Sequence, residues 1–315
     1  MLQDAVAKSS IDLLIGPLID GPSLVEQIAE PLEESAPVAF DSAMNRCDDE
    51  HDGACQAYHA VWQYLRLINI APSVRVDGSI YVAAAERLAR AGRLQRVLIT
   101  ASADYSMLAH LAFGARRGGA EPVFDIVDRC ATALHLNEWY AAREGLRVRT
   151  IRAAIPQATG GGPYDLICSH SFIQWLPPED RGPLFKVWRS CLAPEGRICL
   201  SNRVWTDDYV LSPEEMEQRV NAMINKAMGK LVESGIALPC ERERFVELLR
   251  TYGYRRRDRH PALPLADFER WISEAGLAVE ISVPGAKVVA ENYDYTPSPF
   301  SIERGPRMWF QLRQA

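Results

Sequence analysis

The chain has 315 residues, 48% of them apolar and 24% charged, with a formal net charge of −6. That composition describes a folded globular protein rather than a disordered one. The acidic surplus argues against a general nucleic-acid binder, which needs a broad basic face. No apolar run approaches the roughly 18 residues needed to cross a bilayer, and Met1 to Ser10 lacks the charged-then-apolar layout of a secretion signal, so a cytoplasmic protein that engages no membrane is expected.

Residues 1 to 50 are rich in Asp, Glu, Pro and Ser, and one helix is expected from Ser23 to Leu32. The run Asp48-Asp49-Glu50-His51-Asp52 reads as a solvated acidic loop before a helix, since helix N-termini favour negative charge and calcium-loop spacing is lacking. Tyr58, Val61, Trp62, Leu65 and Ile68 then repeat at the helical period from Ala54 to Ile70, and Pro72 ends that helix. A further helix runs from Ile80 to Ala91. These segments precede the first strand and read as a helical cover, residues 1–95.

Beyond the cover, apolar strands and amphipathic helices alternate. Val97-Leu98-Ile99 precedes a helix from Asp104 to Ala115, and Val123 to Val127 precedes a helix from Ala131 to Glu144. Val148 to Ile151 is a short strand, and Tyr164 to Cys168 leads to a helix beginning near Pro177-Pro178. Pro194-Glu195-Gly196 is the turn before a strand from Arg197 to Ser201. This rhythm marks a parallel sheet with helical crossovers, residues 96–205. Residues 206–262 are a helical insertion. Ser212-Pro213-Glu214-Glu215 is a capping box opening a long helix with Met216, Val220, Met223, Ile224, Ala227, Met228 and Leu231. A second helix carries Phe245, Leu248, Leu249 and Tyr252. The methionine stripe is read as packing on the N-terminal cover, with an apolar substrate pocket as the alternative.

Residues 263–315 return to the core with a helix from Leu265 to Ala275, then Leu277 to Val283 and Arg307 to Leu312. Two strands joined without a helix must be antiparallel. The expected fold is therefore α/β: a doubly wound, Rossmann-like, seven-stranded sheet with an antiparallel last strand, plus the N-terminal helical cover and the helical insertion. Open sheets of this kind bind ligands beyond the carboxyl ends of their strands.

The polar residues at those ends are the candidate site. Thr100, Ala101, Ser102, Ala103 and Asp104 follow the first strand; Asp128 and Arg129 follow the second; Ala153, Ala154 and Ile155 follow the third; and Ser169 and His170 follow the fourth. A pyrophosphate needs bare amides and a glycine to approach them. The first loop has no glycine, and its carboxylate would repel phosphate. Asp104 suits a cationic ligand or caps the next helix. Asp128 is placed to accept ribose hydroxyls, or to cap.

From Arg96-Val97-Leu98-Ile99 through Ala103-Asp104-Tyr105-Ser106-Met107-Leu108-Ala109-His110, the chain resembles a variant, glycine-free first motif of class I S-adenosylmethionine-dependent methyltransferases of a bacterial branch. Val127-Asp128-Arg129-Cys130 to Trp139-Tyr140-Ala141 and Cys168-Ser169-His170-Ser171-Phe172 are similar to the same family. The likeness runs from about Tyr58 to Arg203 and more loosely to the end. It implies S-adenosyl-L-methionine as cofactor, with the loop from Thr100 to Asp104, Asp128, Arg129, Ala153 to Ile155 and Ser169 around it. It also implies methyl transfer, and the two helical additions with the acidic balance point to a small-molecule acceptor enclosed by the cover and insertion.

Methyl transfer requires alignment, exclusion of water and, for a hydroxyl acceptor, removal of a proton. His170 is a candidate base; Tyr58 and His59, on the cover helix, are candidate groups at the acceptor. Asn202 and Arg203 follow the fifth strand at the same edge. Arg255-Arg256-Arg257 with Arg259 could pair an acidic substrate or lie on a solvated surface. A non-catalytic binding or partner protein on the same fold is the alternative, motivated by the missing glycines. A nicotinamide-dependent oxidoreductase lacks its phosphate loop. The added helices offer faces for a homodimer.

The seven cysteines, Cys47, Cys55, Cys130, Cys168, Cys191, Cys199 and Cys240, include no CxxC pair. Several fall in apolar patterns where a thiol is a small hydrophobe, and the odd count fits a reducing compartment. No metal site is expected.

Overall fold

The computed structural model describes residues 27–47, 53–71, 73–155, 161–255, 259–284 and 306–315. Its elements are α1 (Leu32–Arg46), α2 (Ala54–Leu67), α3 (Gly78–Arg90), β1 (Arg96–Thr100), α4 (Ser106–Arg117), β2 (Val123–Asp128), α5 (Ala131–Glu144) and β3 (Arg147–Arg152). There follow β4 (Tyr164–His170), α6 (Pro178–Cys191), β5 (Leu192–Arg203), β6 (Tyr209–Val210), α7 (Pro213–Glu233) and α8 (Arg242–Tyr254). The last are β7 (Arg259–His260), α9 (Leu265–Glu274), β8 (Leu277–Pro284) and β9 (Arg307–Gln314). Among the described residues, no helix is long and apolar enough to cross a membrane.

Seven strands form one sheet in the order β3-β2-β1-β4-β5-β9-β8. The first five are parallel, and β9 runs antiparallel between β5 and β8. The expected doubly wound sheet with its reversed final strand is thus present. β1 is apolar on both faces because both are covered. Its Val97 and Ile99 join the layer built from α3, α4 and α5, whereas Leu98 joins the opposite layer with Trp188, Phe268 and Trp271. On the first face α3 and α4 come very close. A Cβ at Gly114 would lie 2.4 Å from the Val82 carbonyl oxygen, and one at Gly118 would lie 2.3 Å from the Ala89 Cβ. Glycine one turn apart is what lets the two backbones meet.

A third apolar cluster lies apart from the sheet. Ala57, Val61, Tyr64 and Leu65 of α2 and Phe40 of α1 pack with Met216, Val220, Met223 and Ile224 of α7 and Phe245, Leu248 and Leu249 of α8. The methionine stripe of α7 therefore shares one apolar cluster with the cover helices α1 and α2 and with α8. Of the segment expected as cover, α1 and α2 join this helical layer, while α3 lies on the sheet. The predicted helix from Ser23 to Leu32 is corrected. Residues 23–26 lie outside the described residues, 27–31 form a turn and extended lead-in, and the helix begins at Leu32. Polar and proline residues (Glu33, Glu34, Ser35, Pro37) hid α1, whose buried face is mostly alanine and serine with Phe40. The acidic run 48–52 lies outside the described residues.

At the carboxyl edge, α3, β4, β5 and β9 converge on Asp77. Its buried carboxylate accepts from Ser201 Oγ at 2.6 Å and Trp309 Nε1 at 2.8 Å, with His170 Nε2 at 2.9 Å and the Arg307 guanidinium at 3.0 Å. Burial alone would raise this carboxyl, but Arg307 and His170 outweigh it and hold Asp77 well below the usual carboxylate range. Removing one partner from a buried network strands the other charges. Asp77→Ala should therefore destabilise the fold by about 3 kcal/mol or more, read as a lower urea midpoint at pH 7.

Candidate active site

The first β–α loop follows β1. Ala101 has φ of +57° and its amide donates to the Val127 carbonyl at 3.0 Å. This left-handed turn stands where a glycine is favoured, and alanine fills it at a cost in backbone strain. Asp104 is buried and both its oxygens are engaged. Oδ2 accepts from Trp62 Nε1 at 2.8 Å, Gln63 Nε2 at 2.9 Å and Arg66 at 2.7 Å, and Oδ1 accepts from the Ser106 amide at 2.7 Å. The capping reading of Asp104 fits this geometry. Three donors from α2 complete its shell, so it offers no open oxygen to a ligand cation.

Arg66 also pairs with Glu30 at 2.5 Å, which makes a buried Glu30–Arg66–Asp104 triad. Burial would raise Glu30, yet the Arg66 charge, with His110 and a hydrogen bond to Ser106, lowers it to about 2. Ser102 Oγ donates to the Asp104 carbonyl, and Asn137 Nδ2 reaches both Ser102 Oγ at 3.2 Å and the Asp104 carbonyl at 3.3 Å. Thr100 is buried, its Oγ1 on the Cys168 carbonyl at 3.3 Å; Ala103 is partly exposed.

Asp128 ends β2 and is half-buried. Oδ1 accepts from the Cys130 amide at 2.7 Å. Burial pushes its pKa up to about 6, opposed by the Cys130 and Ser102 amides. Arg129 is exposed, and its carbonyl accepts from Arg152. Ala153, whose amide donates to the Asp128 carbonyl at 3.1 Å, and Ala154 are partly exposed, while Ile155 is buried beneath them in the second sheet layer. Ser169 is buried at the end of β4. Its carbonyl accepts from Tyr81, and its Oγ has no partner among the described residues.

His170 stands beside Ser169 with Nε2 between Asp77 and Arg307, the latter at 3.1 Å. Burial lowers its pKa and Arg307 adds to this, against the Asp77 hydrogen bond, so the ring is neutral near pH 7. Asn202 is buried and Arg203 is partly buried.

Tyr58 and Trp62, one turn apart on α2, meet α8: Tyr58 stacks on Tyr252 at 5.9 Å between ring centres. Arg255 lies 4.1 Å from the Tyr58 ring centre and 5.4 Å from that of Trp175. Burial raises the Tyr58 hydroxyl far above the usual phenol range despite Arg255, so it remains protonated. Arg256 and Arg257 lie outside the described residues. His59 is turned elsewhere: its Nδ1 faces Cys47, Cys55 and Cys130. Spacing presents these cysteines as unrelated. The fold brings three of them, from separate segments, to one imidazole. The one local signal was Cys55 and His59 at i and i+4 on a helix, which shares a face. Spacing likewise gave no sign of Asp77, Arg307, Gln63 or Arg66, which meet only through tertiary packing.

No family model and no curated protein matches this chain. Solved structures of similar shape include the 1,6-didemethyltoxoflavin-N1-methyltransferase of Burkholderia thailandensis with S-adenosylhomocysteine bound. It is 16% identical, with 94% of this chain and 93% of that one covered and a TM-score of 0.44. A second is an S-adenosylmethionine-dependent methyltransferase of Clostridium acetobutylicum, 10% identical, covering 80% and 96% at a TM-score of 0.47. A third is the magnesium protoporphyrin IX methyltransferase of Synechocystis, 11% identical, covering 81% and 94% at 0.45. At this level of likeness, function is read from the chain's own strand order and residues.

Two outcomes follow from the first loop. Ala101→Gly should raise stability by about 0.5–1 kcal/mol in urea unfolding, because relief of the left-handed strain exceeds the extra freedom of unfolded glycine. Glu30 has a folded pKa below its ordinary 4.5, so its contribution is present above that pH and lost as pH falls towards about 2. The stability gap between the wild type and Glu30→Gln, on the order of 3 kcal/mol at pH 7, should close progressively through that window in acid titrations of denaturant midpoints.

Proposed function

We propose that this chain transfers a methyl group from S-adenosylmethionine to a small-molecule acceptor covered by its helical layer. The observation that carries the reading is Asp128, half-exposed at the carboxyl end of β2 in a sheet whose β9 is reversed between β5 and β8. A carboxylate there suits the paired hydroxyls of a ribose.

The residues fit the nucleoside end of the cofactor. Ala101 and Ala103 are small, Ala153 and Ala154 leave backbone accessible for adenine, and Ser169 Oγ is a buried polar atom without a partner among the described residues. The amino-acid end is different. Asp104 is committed to α2 and is not the group that meets the cofactor's ammonium.

When bound, the cofactor supplies a methyl group made electrophilic by its sulfonium. The chain's own part is to align and to exclude water. Trp62 and Tyr58 lie on the helix bolted to the first loop, and Tyr58, Trp175, Tyr252 and Arg255 form an aromatic and cationic wall suited to a flat acceptor. His170, neutral and oriented by Asp77, takes the proton of a hydroxyl acceptor, while Tyr58 stays protonated and donates a hydrogen bond. His59 has no part in this assignment.

A second reading, a non-catalytic binder on the same fold, is favoured by the closed shell around Asp104. Calorimetry separates the two readings from a wrong assignment. S-adenosylhomocysteine should bind the wild type, and Asp128→Ala should weaken it at least about tenfold, roughly 1.4 kcal/mol. Binding without turnover on any acceptor would favour the second reading. Absence of binding to the wild type would remove both.

A further inference from the structure

Cys47, Cys55, His59 and Cys130 come from three segments: the residue after α1, the first turns of α2, and the N-cap of α5. One ligand atom from each lies within 4.8 Å of all the others. His59 Nδ1 is 3.5 Å from Cys47 Sγ, 3.6 Å from Cys55 Sγ and 3.5 Å from Cys130 Sγ. Cys47 Sγ and Cys130 Sγ are 3.5 Å apart. A tetrahedral zinc with bonds of about 2.3 Å to sulfur and 2.0–2.1 Å to nitrogen sets its ligands about 3.6 Å apart for sulfur–nitrogen and about 3.8 Å for sulfur–sulfur. The four separations just given lie within about 0.3 Å of those values, and the two remaining sulfur–sulfur separations are within 4.8 Å. A disulfide needs sulfurs about 2.05 Å apart, and Cys47 and Cys130 lie well beyond it.

We propose that these residues form a Cys3His site for one Zn(II), closed by four protein ligands and therefore structural. Soft thiolates with an imidazole in tetrahedral array favour zinc over the oxygen-seeking cations. His59 and Cys130 are buried, with Cys47 and Cys55 partly so, which shields the ion from water. Thiols are weak hydrogen-bond partners; the nearest partner of His59 Nδ1 is the Cys55 carbonyl at 3.1 Å, a contact that coordination through Nδ1 gives up. Binding exchanges the three thiol protons for the metal and releases them to solvent. The proton on His59 is then carried on Nε2, leaving Nδ1 to coordinate. The product is a tricysteinate zinc centre of net charge −1.

The site fastens the helical layer to the sheet edge. Cys130 is the residue whose amide holds Asp128 Oδ1, so the metal also fixes the loop that carries that carboxylate. The zinc proposal itself does not depend on the proposed methyl transfer.

The test uses the full chain, purified under reducing conditions and reconstituted with zinc salt. Elemental analysis should find about one zinc per chain, and Co(II) in its place should show sulfur-to-cobalt charge transfer and the strong visible bands of tetrahedral coordination. A strong chelator should lower the melting temperature of the wild type but not that of Cys130→Ser. Cys130→Ser and His59→Phe, checked for fold by circular dichroism, should hold zinc at least tenfold more weakly, while Cys240→Ser, outside the cluster, should bind as the wild type does. Failure to take up zinc or cobalt would overturn the proposal. So would equal loss in Cys240→Ser, or a Cys47–Cys130 disulfide as the form that persists under reducing conditions.

Discussion

The attachment of α2 to the first β–α loop rests on one carboxylate. Asp104 receives an indole, an amide and a guanidinium from three positions along α2, and a backbone amide from the helix that follows it. In a buried site, charge-assisted hydrogen bonds of this kind are strong and directional. They fix both the height and the rotation of α2. The aromatic wall on that helix and its thiol and imidazole groups are positioned as a result. Glu30 completes the arrangement by accepting from the other terminal nitrogen of the Arg66 guanidinium.

Three aspartates at the same sheet edge thus have three different fates. Asp104 is spent on the helical layer, and Asp77 is spent on tying β4, β5 and β9 to α3. Only Asp128 stays half-exposed, with one oxygen held by a backbone amide. Residue type and position at a strand end do not separate these cases. The number of donors brought from elsewhere in the chain does.

The doubly wound sheet and its reversed last strand were legible because each central strand is a short apolar run ending in polar residues, and because Leu277 to Val283 and Arg307 to Leu312 follow one another without a helix. The long helices α7 and α8 were legible from their stripes. What was not legible has a common physical cause. The α1 helix buries mostly small residues and carries Pro37, so its periodicity is weak. Apart from Ser106 and Cys55, the hydrogen-bond partners of the Asp104, Asp77 and His59 side chains lie 12 to 232 residues away in the chain. A single sequence records a residue's chemistry and leaves open which distant group it will meet. The left-handed turn at Ala101 is similar: alanine gives no local sign of it, and the glycine that would signal it is missing.

Because β9 sits between β5 and β8, the sheet has a gap until Arg307–Gln314 is made. Up to that moment β5 and β8 each present an unpaired edge, with apolar side chains beside it, to anything else in the vessel. Such edges invite pairing with other chains. Nascent or C-terminally clipped forms of this protein should therefore depend on chaperones more than the finished one does, and the closing strand acts as a late seal on a surface that is otherwise adhesive.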